Sequence, residues 1–180
     1  PLGLAASVAA AITPSDIVLE PSAGTGLLAI LAELSGASLA LNELADARAS
    51  LLSLLFPAVP VTRFDAAHID DHLDAGITPS VVLMNPPFND AGRHRPSPDS
   101  ARKAAHVAAA DTLETWIHAA RRVLKSGGVL TLIWRADGLA EVLAALDPRR
   151  AVLFLVEHRL QSLAVLGAVF LAVTGAEALY

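Results

Sequence analysis

The sequence predicts an α/β fold in which a mostly parallel sheet lies between layers of helices, within a single domain spanning residues 1–180. Three observations carry that expectation. Short apolar runs alternate with stretches of helical periodicity, the order that builds a parallel sheet with helical crossovers. Ile17-Val18-Leu19-Glu20 runs into Pro21-Ser22-Ala23-Gly24-Thr25-Gly26 and then into apolar Leu27 to Leu34, the layout of a nucleotide-binding first unit. Val81-Val82-Leu83-Met84 reads as a buried strand that Asn85-Pro86-Pro87-Phe88 ends abruptly, because proline lacks the ladder donor.

Composition narrows the function classes. The formal charge of −5 argues against a whole-protein electrostatic grip on nucleic acid, so any such contact is local or assisted by a partner. There are no cysteines, which excludes disulfides, thiolate metal sites and cysteine nucleophiles and suits a cytoplasmic location. The N-terminal stretch has no basic n-region and does not read as a signal peptide. Mean hydropathy is high, +0.53, but the excess is mainly alanine, leucine and valine in periodic segments.

Taken in order, Leu2 to Ile12 is an alanine-rich helical run stopped by Thr13-Pro14. The first strand and its glycine turn follow. Gly24 and Gly26 let backbone approach a ligand closely, and the free N–H groups of the next helix start point towards it. The spacing is not G-x-G-x-x-G, and no Lys-Ser/Thr follows, so the turn is not a phosphate-gripping loop. Ser38 to Glu43 is the second strand, with Glu43 placed either to accept two ribose hydroxyls or to serve the start of the following helix. That helix, Leu44 to Phe56, is closed by Pro57, and Val59 to Phe64 forms a third strand ending at Asp65. His68 and His72 sit four apart in H-I-D-D-H-L-D, but no glutamate stands as in H-E-x-x-H, and the pattern suits a solvated face better than a metal site.

Downstream of the Asn-Pro-Pro-Phe turn, residues 89–100 are polar and rich in proline and basic side chains. Arg93 and Arg95, with His94, Arg102 and Lys103, either meet substrate phosphates or decorate a plain surface loop. His106 to Leu124 reads as a long helix with Trp116 and Ile117 inward and Arg121, Arg122 and Lys125 complementing its C-terminal dipole. Strand Val129 to Trp134, helix Gly138 to Leu146 and two apolar runs, Ala151 to Val156 and Leu163 to Val173, complete the chain.

Asn-Pro-Pro-Phe at 85–88 resembles the catalytic motif of class I S-adenosylmethionine-dependent methyltransferases that modify exocyclic amino groups, adenine N6 above all. E-P-S-A-G-T-G at 20–26 resembles their first motif, and L-K-x-G-G-x-L at 124–130 another of their landmarks. Residues 1–88 look most like the methylase-like domain of bacterial strawberry-notch-type helicase proteins, through P-L-G-L-A, V-L-E-P-S-A-G-T-G-L-L-A-I and P-S-V-V-L-M-N-P-P-F. Residues 85–146 look more like the bacterial tRNA(Val) adenine-N6 methyltransferase family, through N-P-P-F-N, R-P-S-P-D, L-E-T-W-I-H-A-A and L-T-L-I-W-R-A-D-G-L.

The resemblance implies a Rossmann-like, seven-stranded sheet with helices on both faces and its last strand inserted antiparallel. It implies S-adenosylmethionine as cofactor, held by Glu20, Ser22, Ala23, Gly24, Gly26, Glu43, Asp65, Ala66 and Asn85. Within that set Glu20 faces the cationic end, Gly24 and Gly26 make room for the methionine part, Asp65 accepts from the adenine amino group and Ala66 offers its N–H to the ring. Catalysis falls to Asn85, Pro86 and Phe88: the Asn85 oxygen and Pro86 carbonyl accept the two N–H bonds of the target amino group, and Phe88 stacks on the extruded base. Pro87, Arg93 and Arg95 would contact substrate, a tRNA or DNA, with a helicase or other protein partner in attendance and no membrane.

Other readings remain open at this level. The Asn-Pro-Pro turn is also a common strand terminator. Protein glutamine poses the same chemical problem as adenine, and a nucleotide-binding module without turnover would suit the acidic charge. The tail V-L-G-A-V-F-L-A-V-T-G-A-E-A-L-Y is similar to a membrane segment of Kup-type potassium permeases, and its uncharged run from Leu160 to Ala176 is at the short limit for a span.

Overall fold

A computed structural model describes residues 2–87, 112–135, 138–146, 151–158 and 168–175. Its elements are α1 (Leu2–Ala10), β1 (Ile17–Glu20), α2 (Ala29–Leu34), β2 (Ser38–Asn42), α3 (Asp46–Leu55), β3 (Val61–Thr62), a 3₁₀ turn (Ala66–Asp71), β4 (Val81–Met84), α4 (Thr112–Val123), β5 (Val129–Arg135), α5 (Leu139–Ala145), β6 (Ala151–His158) and β7 (Ala168–Gly175). The strands form one seven-stranded sheet in the order β3-β2-β1-β4-β5-β7-β6. β1 pairs parallel with β2 and β4, as do β2 with β3 and β4 with β5. Only β7 runs against its neighbours, antiparallel to both β5 and β6.

Alternation along the central strands sends successive side chains to opposite faces, and each face has its own core. Leu19, Val82, Met84, Leu130, Leu132 and Trp134 pack on one side with Ile69, Trp116, Ile117 and Ala120 from the 3₁₀ turn and α4. On the other side Val18, Val81, Leu83 and Ile133 meet Ala6, Ala10, Leu28 and Ala32. Leu41 packs there beside Ala29, Leu52 and Phe56. Helices therefore cover both faces, as the near-continuous apolar runs of β1 and β4 require.

The chain order reverses between β1 and β4, so the crevice outside their carboxyl ends is the topological switch point where α/β sheets bind ligands. Register shapes that edge. Glu20 pairs with Leu41, so Asn42 and Glu43 project beyond the end of β1. Val18 pairs with Val81, and the same offset sets Asn85 opposite the start of the turn after β1.

Several element boundaries differ from the sequence expectation for identifiable reasons. β3 is two residues long rather than the run from Val59 to Phe64. Pro60 has no donor, and both backbone polar groups of Phe64 bond the side chain of Asn42 instead of a neighbouring strand. α2 begins at Ala29 rather than Leu27, because Gly26 at φ +82° interrupts right-handed helical geometry. α3 begins at Asp46 rather than Leu44, with Ala45 extended ahead of it. Arg122, expected at the helix dipole, instead reaches across to Asp70 at 2.7 Å and ties α4 to the 3₁₀ turn. Residues 106–111, expected in the same helix, lie outside the described residues.

At the amino edge of the sheet a polar clasp sets the entry to β1 and β4. Buried Ser80 donates from Oγ to Asp16 Oδ1 at 2.6 Å and accepts the Ile17 N–H at 2.9 Å. Asp16 Oδ2 accepts from both the N–H and the hydroxyl of Thr13. Burial pushes the Asp16 carboxyl up, but the Ser80 and Thr13 bonds outweigh it, with help from Lys125, and hold the group below its usual range.

Candidate functional site

β1 ends on an acid in an apolar setting. Glu20 is 3% exposed, and its carboxyl accepts a bond from the Ala29 N–H at the start of α2. Among the described residues Oε2 has no partner, and neither has the buried hydroxyl of Ser22 two residues on. Burial pushes the Glu20 carboxyl well above the usual carboxylate range; the Ala29 N–H opposes the rise and the charge of Glu43 adds to it. Two orphaned polar atoms at one turn need an explanation in a ligand or a strain.

The turn itself is shaped by two left-handed glycines, Gly24 at φ +58° and Gly26 at φ +82°. Their surroundings differ. Among the described residues a Cβ on Gly24 would meet nothing within 4 Å, so the backbone there borders open space. A Cβ on Gly26 would stand 2.6 Å from Phe56 Cε2 and 3.0 Å from Leu52 Cδ1. Gly26 is small because α3 packs against it, a cause unrelated to ligand approach. The Gly26 N–H bonds back to Ala23 O, and the Ala23 N–H bonds to Asn42 O, which anchors the turn to β2.

Glu43 stands just beyond β2 and is also 3% exposed. Its Oε2 accepts the Gly24 N–H at 2.9 Å; its Oε1 accepts the Ala45 N–H and an Arg48 N–H, each at 2.8 Å. The carboxylate thus serves the entry to α3, one of the two roles read from its position, while also holding the glycine turn. Arg48 is half-exposed, so its bond is the exchangeable one.

Asp65 is exposed and caps the 3₁₀ turn through the Ala67 N–H at 2.9 Å; Ala66 is buried behind it. Phe64, just before, stacks its ring on His72 with centroids 4.2 Å apart and planes 12° apart. Among the described residues no group of His, Asp and Glu side chains is arranged to hold a metal ion.

Asn85 is exposed at the end of β4, with Pro86 buried and Pro87 half-buried beside it. The four buried residues of β4 pin this turn to the middle of the sheet. Ala23, Gly24, Gly26 and Glu43 are thus joined by hydrogen bonds, Glu20 and Ser22 belong to the same turn, and Asp65 and Ala66 flank it through Phe64. Asn85 joins them by strand register alone. Phe88, Arg93 and Arg95 lie outside the described residues.

One residue of the site carries no role in the sequence reading. Asn42 ends β2 fully buried, with its side chain bonded to Pro21 O, Phe64 O, Phe64 N–H and Thr62 Oγ1. The signal was present: a polar residue closing the apolar run Leu39-Ala40-Leu41 must find partners once buried.

Comparison with solved structures agrees with this architecture. A candidate methyltransferase from Streptococcus mutans, solved in complex with SAH, superposes with a TM-score of 0.68 at 11% identity, covering 98% of each chain. An rRNA methylase from Streptococcus thermophilus gives 0.66 at 14% identity over 98% of this chain and 97% of that one. The ribosomal protein L11 methylase of Lactobacillus delbrueckii gives 0.67 at 15% identity over 98% and 78%. The chain has the Rossmann-like class I methyltransferase fold.

The C-terminal third compares differently. The model of the K+ potassium transporter integral membrane domain matches residues 122–180. Probable potassium transport system protein Kup 1 of Cupriavidus necator is 62% identical over 40 residues, 22% of this chain. The corresponding Kup protein of Xanthomonas oryzae is 51% identical over 69 residues, 33% of this chain. The matches span only 6% and 11% of those two relatives. The likeness of the tail to Kup-type permeases is thus borne out in sequence. In the structure the described part of 122–180 forms the end of α4, β5, α5, β6 and β7. No described helix is long and apolar enough to cross a membrane.

Proposed function

We propose that the chain binds S-adenosylmethionine at the carboxyl edge of β1, β2 and β3 and transfers its methyl group to an exocyclic amino nitrogen, adenine N6 in tRNA or DNA. The observation that carries this reading is the pair of orphaned buried polar atoms, Glu20 Oε2 and Ser22 Oγ, beside the open space over Gly24. A buried carboxyl with one oxygen left unsatisfied is stabilised by a cation, and a buried hydroxyl by a polar group. The amino-acid end of S-adenosylmethionine offers both, so the residues present fit the group. When bound, it supplies a methyl group made electrophilic by an adjacent sulfonium.

The protein's part is alignment and hydrogen bonding. Glu20 balances positive charge in its apolar setting. Glu43 retains acceptor capacity, since a carboxylate offers about four lone-pair sites and three are filled, and ribose hydroxyls would take the place of Arg48. Asp65 and the Ala66 N–H would read the adenine edge. Asn85 Oδ1 and the Pro86 carbonyl would draw the two N–H bonds of the target nitrogen towards tetrahedral geometry, localising a lone pair that the ring otherwise delocalises. Phe88 would stack on the extruded base, with Pro87, Arg93 and Arg95 on the substrate side. No general base is assigned, because the proton can leave after the methyl arrives.

Calorimetry with S-adenosylmethionine tests the cofactor site, and tritiated-methyl transfer to bulk tRNA, DNA and protein tests the chemistry and the substrate class. Asn85→Ala is expected to abolish transfer while leaving cofactor affinity nearly intact. Label appearing only in the protein pool would move the target to a glutamine amide; binding without transfer to any pool would reduce the chain to a nucleotide-binding module.

A further inference from the structure

Asn42 is 1% exposed, and its side chain makes every hydrogen bond an asparagine can make. Nδ2 donates to Pro21 O and to Phe64 O, both at 2.8 Å. Oδ1 accepts the Thr62 hydroxyl at 2.9 Å and the Phe64 N–H at 2.8 Å. These partners belong to three separate pieces of chain: the turn after β1, the edge strand β3, and the link that leads from β3 to Asp65. The main chain adds a further tie, from the Ala23 N–H to Asn42 O at 2.9 Å.

An aliphatic residue would finish the buried end of β2 without any of this. It would leave Pro21 O and Phe64 without those partners, so the amide is required by where the neighbouring loops must sit rather than by the strand. The next residue, Glu43, grips the same turn through Gly24. Two consecutive residues therefore hold the glycine turn and the Phe64–Asp65 link at one fixed spacing.

We propose that Asn42 is a positioning residue of the cofactor site, a rigid bridge that sets the separation between the turn gripping the amino-acid end of S-adenosylmethionine and the link gripping its adenosine end. This inference rests on the reading of that site given above. A ligand held at both ends gains from the second grip only when the two grips stand at its own length; slack between them reduces the effective concentration of the second end. Asn42 touches neither end of the ligand in this account and acts through Pro21 and Phe64.

The test compares two ligands on one set of proteins. S-adenosylhomocysteine spans both grips, whereas 5′-methylthioadenosine lacks the amino-acid end. Asn42→Asp keeps the size and both accepted bonds but loses both donated ones. Affinities are measured by calorimetry well below the melting transition of each protein. Asn42→Asp is expected to weaken S-adenosylhomocysteine at least about tenfold and 5′-methylthioadenosine less than about threefold. Thr62→Val removes one accepted bond from the edge strand and is expected to shift the same ratio in the same direction by a smaller factor.

A purely structural Asn42 would lower the melting temperature and leave the ratio of the two affinities at its wild-type value, which overturns the proposal. Should Asn42→Asp not fold, an unchanged ratio in Thr62→Val overturns it equally. Wild-type protein that binds neither ligand would sink the cofactor reading and this inference together. Wild-type binding with unshifted variants would sink the Asn42 role alone.

Discussion

Gly24 and Gly26 occupy one turn, both at positive φ, yet a methyl group added to each has opposite consequences. At Gly26 the new Cβ lies 2.6 Å from Phe56 Cε2 and 3.0 Å from Leu52 Cδ1. Both of those side chains are buried and have little room to yield. Overpacking of that kind costs about 1–3 kcal/mol, and the left-handed backbone about 1–2 kcal/mol more. Together these are about 2–5 kcal/mol, which in a domain of this size lowers Tm by about 5–20 °C. At Gly24 the same methyl meets nothing within 4 Å among the described residues, so only the backbone penalty remains and Tm falls by a few degrees. That methyl does, however, project into the space assigned to the cofactor. Gly24→Ala is expected to remain folded and lose S-adenosylhomocysteine affinity by about tenfold or more. Gly26→Ala is expected to be severely destabilised, its folded fraction still binding. Thermal melts and calorimetry on both variants decide the matter. A Gly26→Ala protein that melts within about 2 °C of wild type would refute the packing argument. A Gly24→Ala protein that binds with unchanged affinity would refute the placement of the cofactor.

Two further predictions concern protons. The Glu20 carboxyl is raised well above 4.5, so its contribution to stability is present below that pH and eroded as pH climbs towards the folded-state value, by at most about 1.4 kcal/mol per pH unit. Glu20→Gln carries no such proton, so its stability relative to wild type should grow as pH rises from 4.5 in denaturant titrations; a constant difference across pH would contradict a carboxyl raised by burial. For the same reason a cationic ligand should displace protons on binding in the pH range where the free carboxyl still holds one, visible as a buffer-dependent heat that vanishes at higher pH. Asp16 has the opposite sign: its carboxyl is held below 3.8, and the stability it contributes is present above that pH and lost as pH falls through the folded-state value. Ser80→Ala leaves the partly buried Ile17 N–H without its side-chain partner, costing about 1 kcal/mol at neutral pH, and should flatten the acid limb of the stability curve. A Ser80→Ala curve merely displaced from wild type, with the acid limb unchanged, would count against the clasp.

Most of the architecture was legible because its determinants are local. The alternation of apolar runs with helical segments, the acid-turn-helix unit at 17–34 and the Pro-Pro stop after Met84 each depend on residues a few positions apart, and the structure has strands and helices there. The antiparallel insertion of the last strand came through family resemblance, since nothing in residues 163–173 dictates its direction, and its place between β5 and β6 is seen only in the structure. The apolar tail shows the reverse limit. Its sequence matches an integral membrane domain, yet Ala168–Gly175 pairs as a strand between β5 and β6, because an apolar run satisfies a buried sheet as well as a lipid phase.

The finer geometry of the site was not legible. Sequence by itself determined which residues stand at the carboxyl edge: Glu20, Gly24, Gly26, Glu43 and Asn85 follow from strand ends and turn chemistry, whereas the strand read as leading to Asp65 is only Val61–Thr62. Tertiary structure alone decided what each of them touches there. Gly26 meets Phe56 from a helix thirty positions on, Glu43 shares its oxygens among Gly24, Ala45 and Arg48, and Asn42 joins Pro21 to Phe64. Apart from the two local bonds of Glu43 to Ala45 and Arg48, these contacts link residues about twenty or more positions apart, and pattern along a chain carries no record of them. Their partners are set by how strands align and how closely helices approach, which is a property of the packed whole.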